Sequence, residues 1–173
     1  MESKKKWKGS YKMEKILVVF YSRSGRTKKV AKAISEILKC DIEEIFDTKD
    51  RRGVSGFLSA GNDAVNRRFT TIKELKKNPS IYDLVIIGTP IWAGNISAPI
   101  RTYLSLHKED FKNVAFFCTC LGSDAKKVFT DMEDICQKPP LALLELTSRE
   151  VNRDQYLQKV KEFIKNLEEK LKK

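Results

Sequence analysis

The stretch Lys15-Ile-Leu-Val-Val-Phe-Tyr-Ser-Arg-Ser-Gly-Arg-Thr27 joins an apolar run directly to a short polar turn. The apolar run from Ile16 to Tyr21 lacks the alternation of a half-buried strand, which predicts a parallel strand covered on both faces. After the turn, apolar residues recur at helical spacing from Val30 to Leu38, which predicts an amphipathic helix over residues 27–39. A buried strand that passes straight into a helix favours an α/β fold.

The rest of the chain repeats this alternation of strand and helix. The predicted strands cover residues 16–21, 40–46, 81–88, 114–119 and 141–147. The predicted helices cover residues 27–39, 98–106, 125–135 and 156–171, and an irregular segment at 50–78 supplies the fifth. Such a pattern indicates a three-layer α/β fold with a doubly wound, five-stranded parallel sheet. Right-handed crossovers then place every loop that follows a strand at one edge of that sheet, where ligands bind in this class of fold.

The turn after the first strand has the chemistry of a phosphate site. It consists of Ser22, Arg23, Ser24, Gly25, Arg26 and Thr27. Unpaired N–H groups and the dipole at a helix N-terminus favour an anion, and small residues let a phosphate approach the backbone. The turn lacks both the P-loop pattern and the G-x-G-x-x-G pattern of dinucleotide sites. The alternative is an ordinary helix with a serine cap.

Two more loops end in small or hydroxyl-bearing residues after the third and fourth predicted strands. The second loop includes Pro90, Ile91, Trp92, Ala93, Gly94 and Asn95. The third includes Thr119, Cys120, Leu121 and Gly122. An exposed Trp92 would suit stacking on a planar ligand, and the alternative is an indole that packs beneath the loop. The three loops converge only if the sheet is wound as predicted.

Together these loops resemble those of the flavodoxins. Ser22-x-Ser24-Gly25-x-Thr27 is similar to the flavodoxin loop that holds the monophosphate of FMN. Gly88-Thr-Pro-Ile-Trp-Ala-Gly-Asn95 with Ala98-Pro-Ile-Arg-Thr-Tyr103 resembles the second flavin loop of short-chain flavodoxins, and Phe116-Phe-Cys-Thr119 with Gly122 resembles the third. The resemblance covers about residues 13–170 and implies the strand order 2-1-3-4-5.

The resemblance also implies FMN as the cofactor and assigns its contacts. Ser22, Ser24 and Thr27, with the amides of residues 23–27, would hold the phosphate. The segment 90–95 would line one side of the isoalloxazine and residues 119–122 the other. Arg26 departs from the family pattern, because these loops commonly carry asparagine there. Its charge would pair with the phosphate or face solvent.

Composition and charge limit the classes of function. The chain is 41% hydrophobic and 33% charged, which is typical of a globular protein, and no apolar run approaches the length of a membrane span. Residues 1–12 are predicted to form a disordered basic tail that precedes a single domain at 13–173. Of the net charge of +11, the tail carries +4, which leaves +7 for the domain. This favours acidic or anionic partners, whereas the dispersed lysines do not form a nucleic-acid motif.

Cysteine and histidine offer little chemistry. The four cysteines lack C-x-x-C spacing, so a disulfide framework is not expected, although Cys118 and Cys120 could form a redox or metal pair. His107 is the only histidine, which excludes a multi-histidine metal site, and it is predicted to be exposed. We therefore expect neither a metal site nor a catalytic side chain.

Three functions are compatible with the sequence. The first is an FMN-binding electron carrier, which exchanges electrons with a redox partner protein in the cytoplasm. The alternative is an FMN-dependent NAD(P)H:quinone or related oxidoreductase, in which residues 47–78, with Arg51, Arg52 and Phe57, would cover the ring opposite Trp92. The third is a binding module that has lost flavin, against which the three intact loops argue.

Overall fold

The computed structural model describes residues 15–48, 53–122 and 125–171. The strands are β1 (Ile16–Phe20), β2 (Asp41–Glu44), β3 (Leu84–Trp92), β4 (Asn95–Ile96), β5 (Val114–Cys120) and β6 (Pro140–Thr147). The helices are α1 (Arg26–Leu38), α2 (Gly53–Val65), α3 (Ala98–His107), α4 (Lys126–Cys136), α5 (Ser148–Asn152) and α6 (Leu157–Leu171), with a short 3-10 helix at Pro79–Ile81.

Five of the strands form one parallel sheet in the order β2-β1-β3-β5-β6. This confirms the predicted order, because the remaining strand, β4, is a two-residue strand that pairs antiparallel with the end of β3. The three central strands, β1, β3 and β5, are buried along nearly their whole length. Their lack of polar alternation follows from helices on both faces of the sheet.

The helices divide into two layers. Alternate residues of β1, such as Leu17 and Val19, pack with α2, α3 and α4 on one face of the sheet. The others, such as Val18 and Phe20, pack with α1, α5 and α6 on the opposite face. The apolar stripe of α6 is buried as its spacing predicted, at Val160, Phe163, Ile164 and Leu167. Buried side chains on α1 and α6 therefore pack the helical layer on the face of the sheet where α1 follows the first loop.

The structure corrects the sequence-based boundaries in three places. The segment predicted as irregular at 50–78 contains α2, a regular helix. The third strand does not stop at Gly88 but continues through Pro90 to Trp92, because its end pairs with β4 in a hairpin. A further short helix, α5, follows β6 directly, so the described chain has six strands and six α-helices rather than five of each.

Some expectations fall outside the described residues. The basic tail at 1–12, Arg51, Arg52 and the side chain of Phe57 belong to this group. Within the described ranges, no helix is both long enough and apolar enough to cross a membrane.

Gly88 is required where β3 passes its neighbour. It lies opposite Phe117 of β5, and a Cβ built on Gly88 would overlap the buried ring of Phe117. We expect Gly88→Ala to lower the free energy of unfolding by about 1–3 kcal/mol or more, because overpacking forces the ring or the backbone to move. Urea denaturation followed by circular dichroism measures this change.

Gly61 provides the matched control. It lies inside α2, and an added Cβ there meets nothing within 4 Å. Gly61→Ala should therefore raise the free energy of unfolding by about 1 kcal/mol through helix propensity. Equal stability of the Gly88→Ala and wild-type proteins would contradict the packing of Gly88 against Phe117.

Candidate functional site

Two side-chain contacts show that the three predicted loops meet at the carboxyl edge of the sheet. Thr27 of the first loop and Thr119 of the third share a hydrogen bond of 2.8 Å between their hydroxyl oxygens, and both residues are buried. Tyr21 at the end of the first strand packs edge-on against Trp92 of the second loop, with 5.4 Å between ring centroids. The predicted convergence of the loops is therefore confirmed.

The first loop exposes the N-terminus of α1. Gly25 precedes the helix in the left-handed region, with φ +84°, and a Cβ placed on it would meet no other atom within 4 Å. Because the N-cap residue is Gly25, the position that would normally supply a capping side chain has none. The free N–H groups and the open space beside Gly25 are the features that an anion needs. A serine-capped helix, the alternative considered above, is not what the structure shows.

Ser22 gives independent support for a ligand at this loop. Its hydroxyl oxygen is buried and has no hydrogen-bond partner among the described residues. A buried hydroxyl without a partner is costly, so such groups in folded proteins point to a missing water, ion or ligand. The unpaired hydroxyl, the uncapped helix and the open face of Gly25 together fit a phosphate group.

Arg26 is held beside the same loop. Its Nε donates to Oδ1 of Asn152 at 3.1 Å, and its Nη1 donates to the hydroxyl of Ser24 at 3.2 Å. Asn152 ends the short helix α5, so a residue far along the chain orients the guanidinium. Both bonds lie at the exposed surface and keep the guanidinium next to the first loop, and pairing of its charge with a phosphate remains a prediction.

The start of α5 is itself fixed by a capping box. The hydroxyl of Thr147 accepts from the backbone of Glu150, and the Glu150 carboxylate accepts from the backbone N–H and hydroxyl of Thr147. Lys159 of α6 lies 2.7 Å from the same carboxylate. These groups lower the pKa of Glu150, first through Lys159 and then through the Thr147 backbone. The ionised carboxylate thus holds the helix that presents Asn152.

The second loop is a hairpin with a two-residue turn. Trp92 and Asn95 pair across it, and the central residues Ala93 and Gly94 have φ values of +46° and +71°. Positive φ at both central positions is the pattern of a type I′ turn, which suits the twist of a β-hairpin. The side-chain amide of Asn95 donates to the carbonyl of Ala93 at 2.8 Å and closes the turn.

The base of this hairpin is tied by buried hydroxyls. The hydroxyls of Thr89 and Ser97 lie 3.0 Å apart, and the backbone N–H of Ser97 donates to Thr89 at 3.2 Å. Both residues are fully buried. This pair connects the end of β3 to the start of α3 and leaves the turn as the outermost part of the loop.

Trp92 is buried, with 7% of its surface exposed, and its ring is perpendicular to that of Tyr21. Of the two alternatives for Trp92, the structure shows the packed indole, because the hairpin folds the side chain back onto Tyr21. Stacking of Trp92 on a planar ligand remains a prediction.

The third loop combines buried and exposed residues. Thr119 and Cys120 end β5 inside the protein, whereas Leu121 is 80% exposed and Gly122 has a φ of +136°. Cys118 and Cys120 are both free thiols, and burial raises the pKa of Cys118. A protonated, buried thiol is a poor metal ligand or nucleophile, so the structure does not favour the redox or metal pair.

His107 is not at the loops. It ends α3, whose other end carries the second loop, and its Nδ1 lies 2.8 Å from the Asp110 carboxylate. The ring also contacts Tyr103, with 4.9 Å between centroids. The imidazole is half-buried, not exposed as predicted, because these two neighbours cover it.

Sequence reasoning missed three residues that support the loops. Asn152 orients Arg26, and Lys127 with Asp131 lies behind the second loop. In the sequence these are ordinary polar residues of amphipathic helices. Only their position next to residues distant in the chain distinguishes them.

Comparisons with known proteins agree with this geometry. A family model described as flavodoxin matches residues 15–167. The crystal structure of a flavoprotein in complex with FMN from Lactobacillus acidophilus is similar at a TM-score of 0.66 and 26% identity, covering 80% of this chain and 97% of that one. The NMR structure of the apo-form of the flavoprotein from that organism gives a TM-score of 0.58 at 28% identity, with 80% and 95% of the two chains covered.

A more distant structure shares the fold. A flavodoxin from the domain Archaea has a TM-score of 0.53 at 18% identity, with 92% of this chain and 99% of that one covered. At this identity the likeness concerns the fold alone.

The bond between Thr27 and Thr119 yields a test of how the loops are joined. Thr27→Val should lower the free energy of unfolding by about 1–3 kcal/mol, because it leaves the buried hydroxyl of Thr119 unsatisfied. The double variant Thr27→Val with Thr119→Val should recover most of that loss, since both polar groups are then removed. Urea denaturation of the cofactor-free protein gives the three values, and strictly additive losses would show that the hydroxyls do not interact.

Proposed function

This chain belongs to the flavodoxin family, and we propose that it binds FMN at the three loops and acts as an electron carrier. The observation that carries the proposal is the first loop, in which the buried Ser22 hydroxyl has no hydrogen-bond partner within the described part of the chain and lies next to a helix N-terminus capped only by Gly25. The relative from Lactobacillus acidophilus that was crystallised with FMN supports the choice of ligand.

The phosphate end of the site uses backbone and hydroxyl donors. We assign the phosphate to the amides of residues 23–27 and to the hydroxyls of Ser22, Ser24 and Thr27. Arg26 adds a guanidinium that Asn152 already orients. A monophosphate carries up to two negative charges, so charge-assisted bonds at this end supply much of the affinity.

The ring end of the site uses the other two loops. The segment 90–95 would line one side of the isoalloxazine, and residues 119–122 the other. FMN, when bound, supplies reversible uptake of electrons. The chain's own residues would bind it, exclude water from one side through the buried indole of Trp92, and set the local charge.

The carrier is favoured over the reductase by the side chains at the loops. Within the described parts of the three loops, Arg23 and Arg26 are the charged residues, and neither is a ready acid or base at neutral pH. An electron carrier needs no proton-transferring side chain. The basic domain would associate with an acidic partner protein, in the cytoplasm, and residues 13–173 would form one domain.

The substitution Ser22→Ala tests whether the hydroxyl of Ser22 contacts the ligand or stabilises the fold. Because the buried hydroxyl has no partner among the described residues, its removal should raise the free energy of unfolding of the cofactor-free protein by about 1 kcal/mol or more. It should weaken FMN binding about tenfold or more, since a hydrogen bond to a charged group is lost. Riboflavin, which lacks the phosphate, should bind both proteins equally.

Ser35→Ala is the matched control for that experiment. Ser35 lies later on α1 and donates to the carbonyl of Lys32 at 3.0 Å, away from the loop. Its substitution should leave FMN affinity unchanged in fluorescence titrations. Wild-type FMN affinity in Ser22→Ala would contradict the phosphate assignment, and failure of the wild-type chain to bind FMN would overturn the proposed function.

Steady-state and stopped-flow assays distinguish the carrier from the reductase. The FMN-loaded carrier should oxidise NADH and NADPH no faster than free FMN does, with or without a quinone. After reduction with dithionite, the positive surface of the protein should attract anionic ferricyanide. The rate constant for oxidation by ferricyanide should therefore fall as salt rises. Hexaammineruthenium, a cationic acceptor, should show the opposite salt dependence. Rapid quinone-dependent turnover of NAD(P)H would instead establish the oxidoreductase.

A further inference from the structure

Lys127 reaches from α4 to the turn of the second loop. Its ammonium lies 2.5 Å from Oδ1 of Asn95 and 3.4 Å from the carbonyl oxygen of Gly94. Asn95 in turn donates to the carbonyl of Ala93. Lys127 therefore contacts Gly94 and Asn95 directly, and it is linked to Ala93 through Asn95.

The turn needs such support because its backbone is unusual. Ala93 has a φ of +46°, a conformation that residues with a Cβ adopt at a cost. A neighbouring group that satisfies the outward carbonyl of Gly94 and fixes Asn95 favours this conformation over its alternatives. The contacts of Lys127 supply both.

The positive charge of Lys127 is only partly neutralised. Asp131, one helical turn later, lies 3.8 Å from the ammonium, which is an ion-pair distance but too long for a hydrogen bond. The same carboxylate is 3.7 Å from Arg67. The single carboxylate of Asp131 is therefore shared by two cations, Lys127 and Arg67.

A third cation lies behind this group. Arg101 of α3 is only 5% exposed, and its Nε and Nη2 have no hydrogen-bond partner among the described residues. Burial lowers the pKa of the Arg101 guanidinium, whereas the nearby charge of Asp131 raises it and that of Arg67 lowers it. The formal charges of these four side chains sum to +2, and Lys127 is the one of them that contacts the turn.

We propose that Lys127 is a positioning residue, which holds the Ala93–Gly94 turn in its observed conformation and makes the site more favourable to a reduced flavin. This inference rests on the proposed function, because it assumes that the ring of FMN lies against the turn. A fixed cation near the ring stabilises whichever redox state carries more negative charge, and because the Lys127 side chain is 54% exposed this effect should weaken as salt rises. Lys127 thus acts on the flavin through the turn and through its charge.

The chain offers a closely matched control. Lys165 of α6 also faces an acidic residue four positions later, with 3.8 Å between its ammonium and Glu169. It lies on a helix that packs on the opposite face of the sheet from α4. Lys165→Met therefore removes the same charge and the same type of ion pair without touching the second loop.

The first experiment measures the dissociation constants of oxidised and dithionite-reduced FMN for wild type, Lys127→Met, Lys127→Arg and Lys165→Met. We expect Lys127→Met to weaken the preference for reduced FMN about tenfold, which corresponds to a fall of about 30 mV in the two-electron midpoint potential. Lys127→Arg should retain most of the preference, and Lys165→Met all of it. Titration against a dye of known potential gives the same quantity independently.

The second experiment examines the turn without FMN. In the cofactor-free protein, NMR relaxation should give Ala93 and Gly94 order parameters typical of rigid backbone, and in Lys127→Met these should fall below roughly 0.6. Lys127→Arg and Lys165→Met should resemble wild type. This readout does not depend on the flavin.

The outcomes separate the inference from the proposed function. Unchanged order parameters together with an unchanged redox preference in Lys127→Met, in a protein that binds FMN, would overturn the inference alone. An equal fall in Lys165→Met would overturn it too, because the effect would then be one of net charge. Failure of wild type to bind FMN would overturn the proposed function and, with it, the inference.

Discussion

Parallel pairing of β1, β3 and β5 is the constraint on which the site depends. The register that sets Phe20 beside Gly88, and Gly88 beside Phe117, brings the ends of these strands to one edge of the sheet. The close approach of the Phe117 ring to Gly88 locks β3 against β5 at the level where the loops begin. Residues that are about 70 or 90 positions apart in the chain thereby become neighbours.

Hydrogen bonds between and within the loops add to the strand pairing in fixing the positions of the loops. The hydroxyl pair of Thr27 and Thr119 joins the first and third loops, and that of Thr89 and Ser97 closes the base of the second. All four residues are buried, where a satisfied polar pair specifies one arrangement and an unsatisfied one is costly. These four hydroxyls are thus engaged by the protein itself, whereas the buried hydroxyl of Ser22 has no partner among the residues that the structure describes.

Side chains from helices outside the loops contact two of the loops. Asn152 of α5 accepts a hydrogen bond from Arg26 of the first loop, and Lys127 of α4 contacts the turn of the second loop. Both helices follow the carboxyl end of a strand, so their first residues lie near the edge of the sheet at which the loops meet. Two of the positive charges of this basic protein, those of Arg26 and Lys127, thus lie beside the loops.

The sequence by itself determined the class of fold, the order of its strands through the family resemblance, and the three loops. Those features depend on local patterns, such as the uninterrupted apolar run of β1 and the helical spacing of α6, that packing did not override. Only the tertiary structure decided that Trp92 packs against Tyr21, that β3 continues into a hairpin, and that Lys127, Asn152 and Asp131 support the site. These depend on contacts between residues far apart in the chain, and no local preference of a lysine, an asparagine or a tryptophan specifies which distant group it will meet.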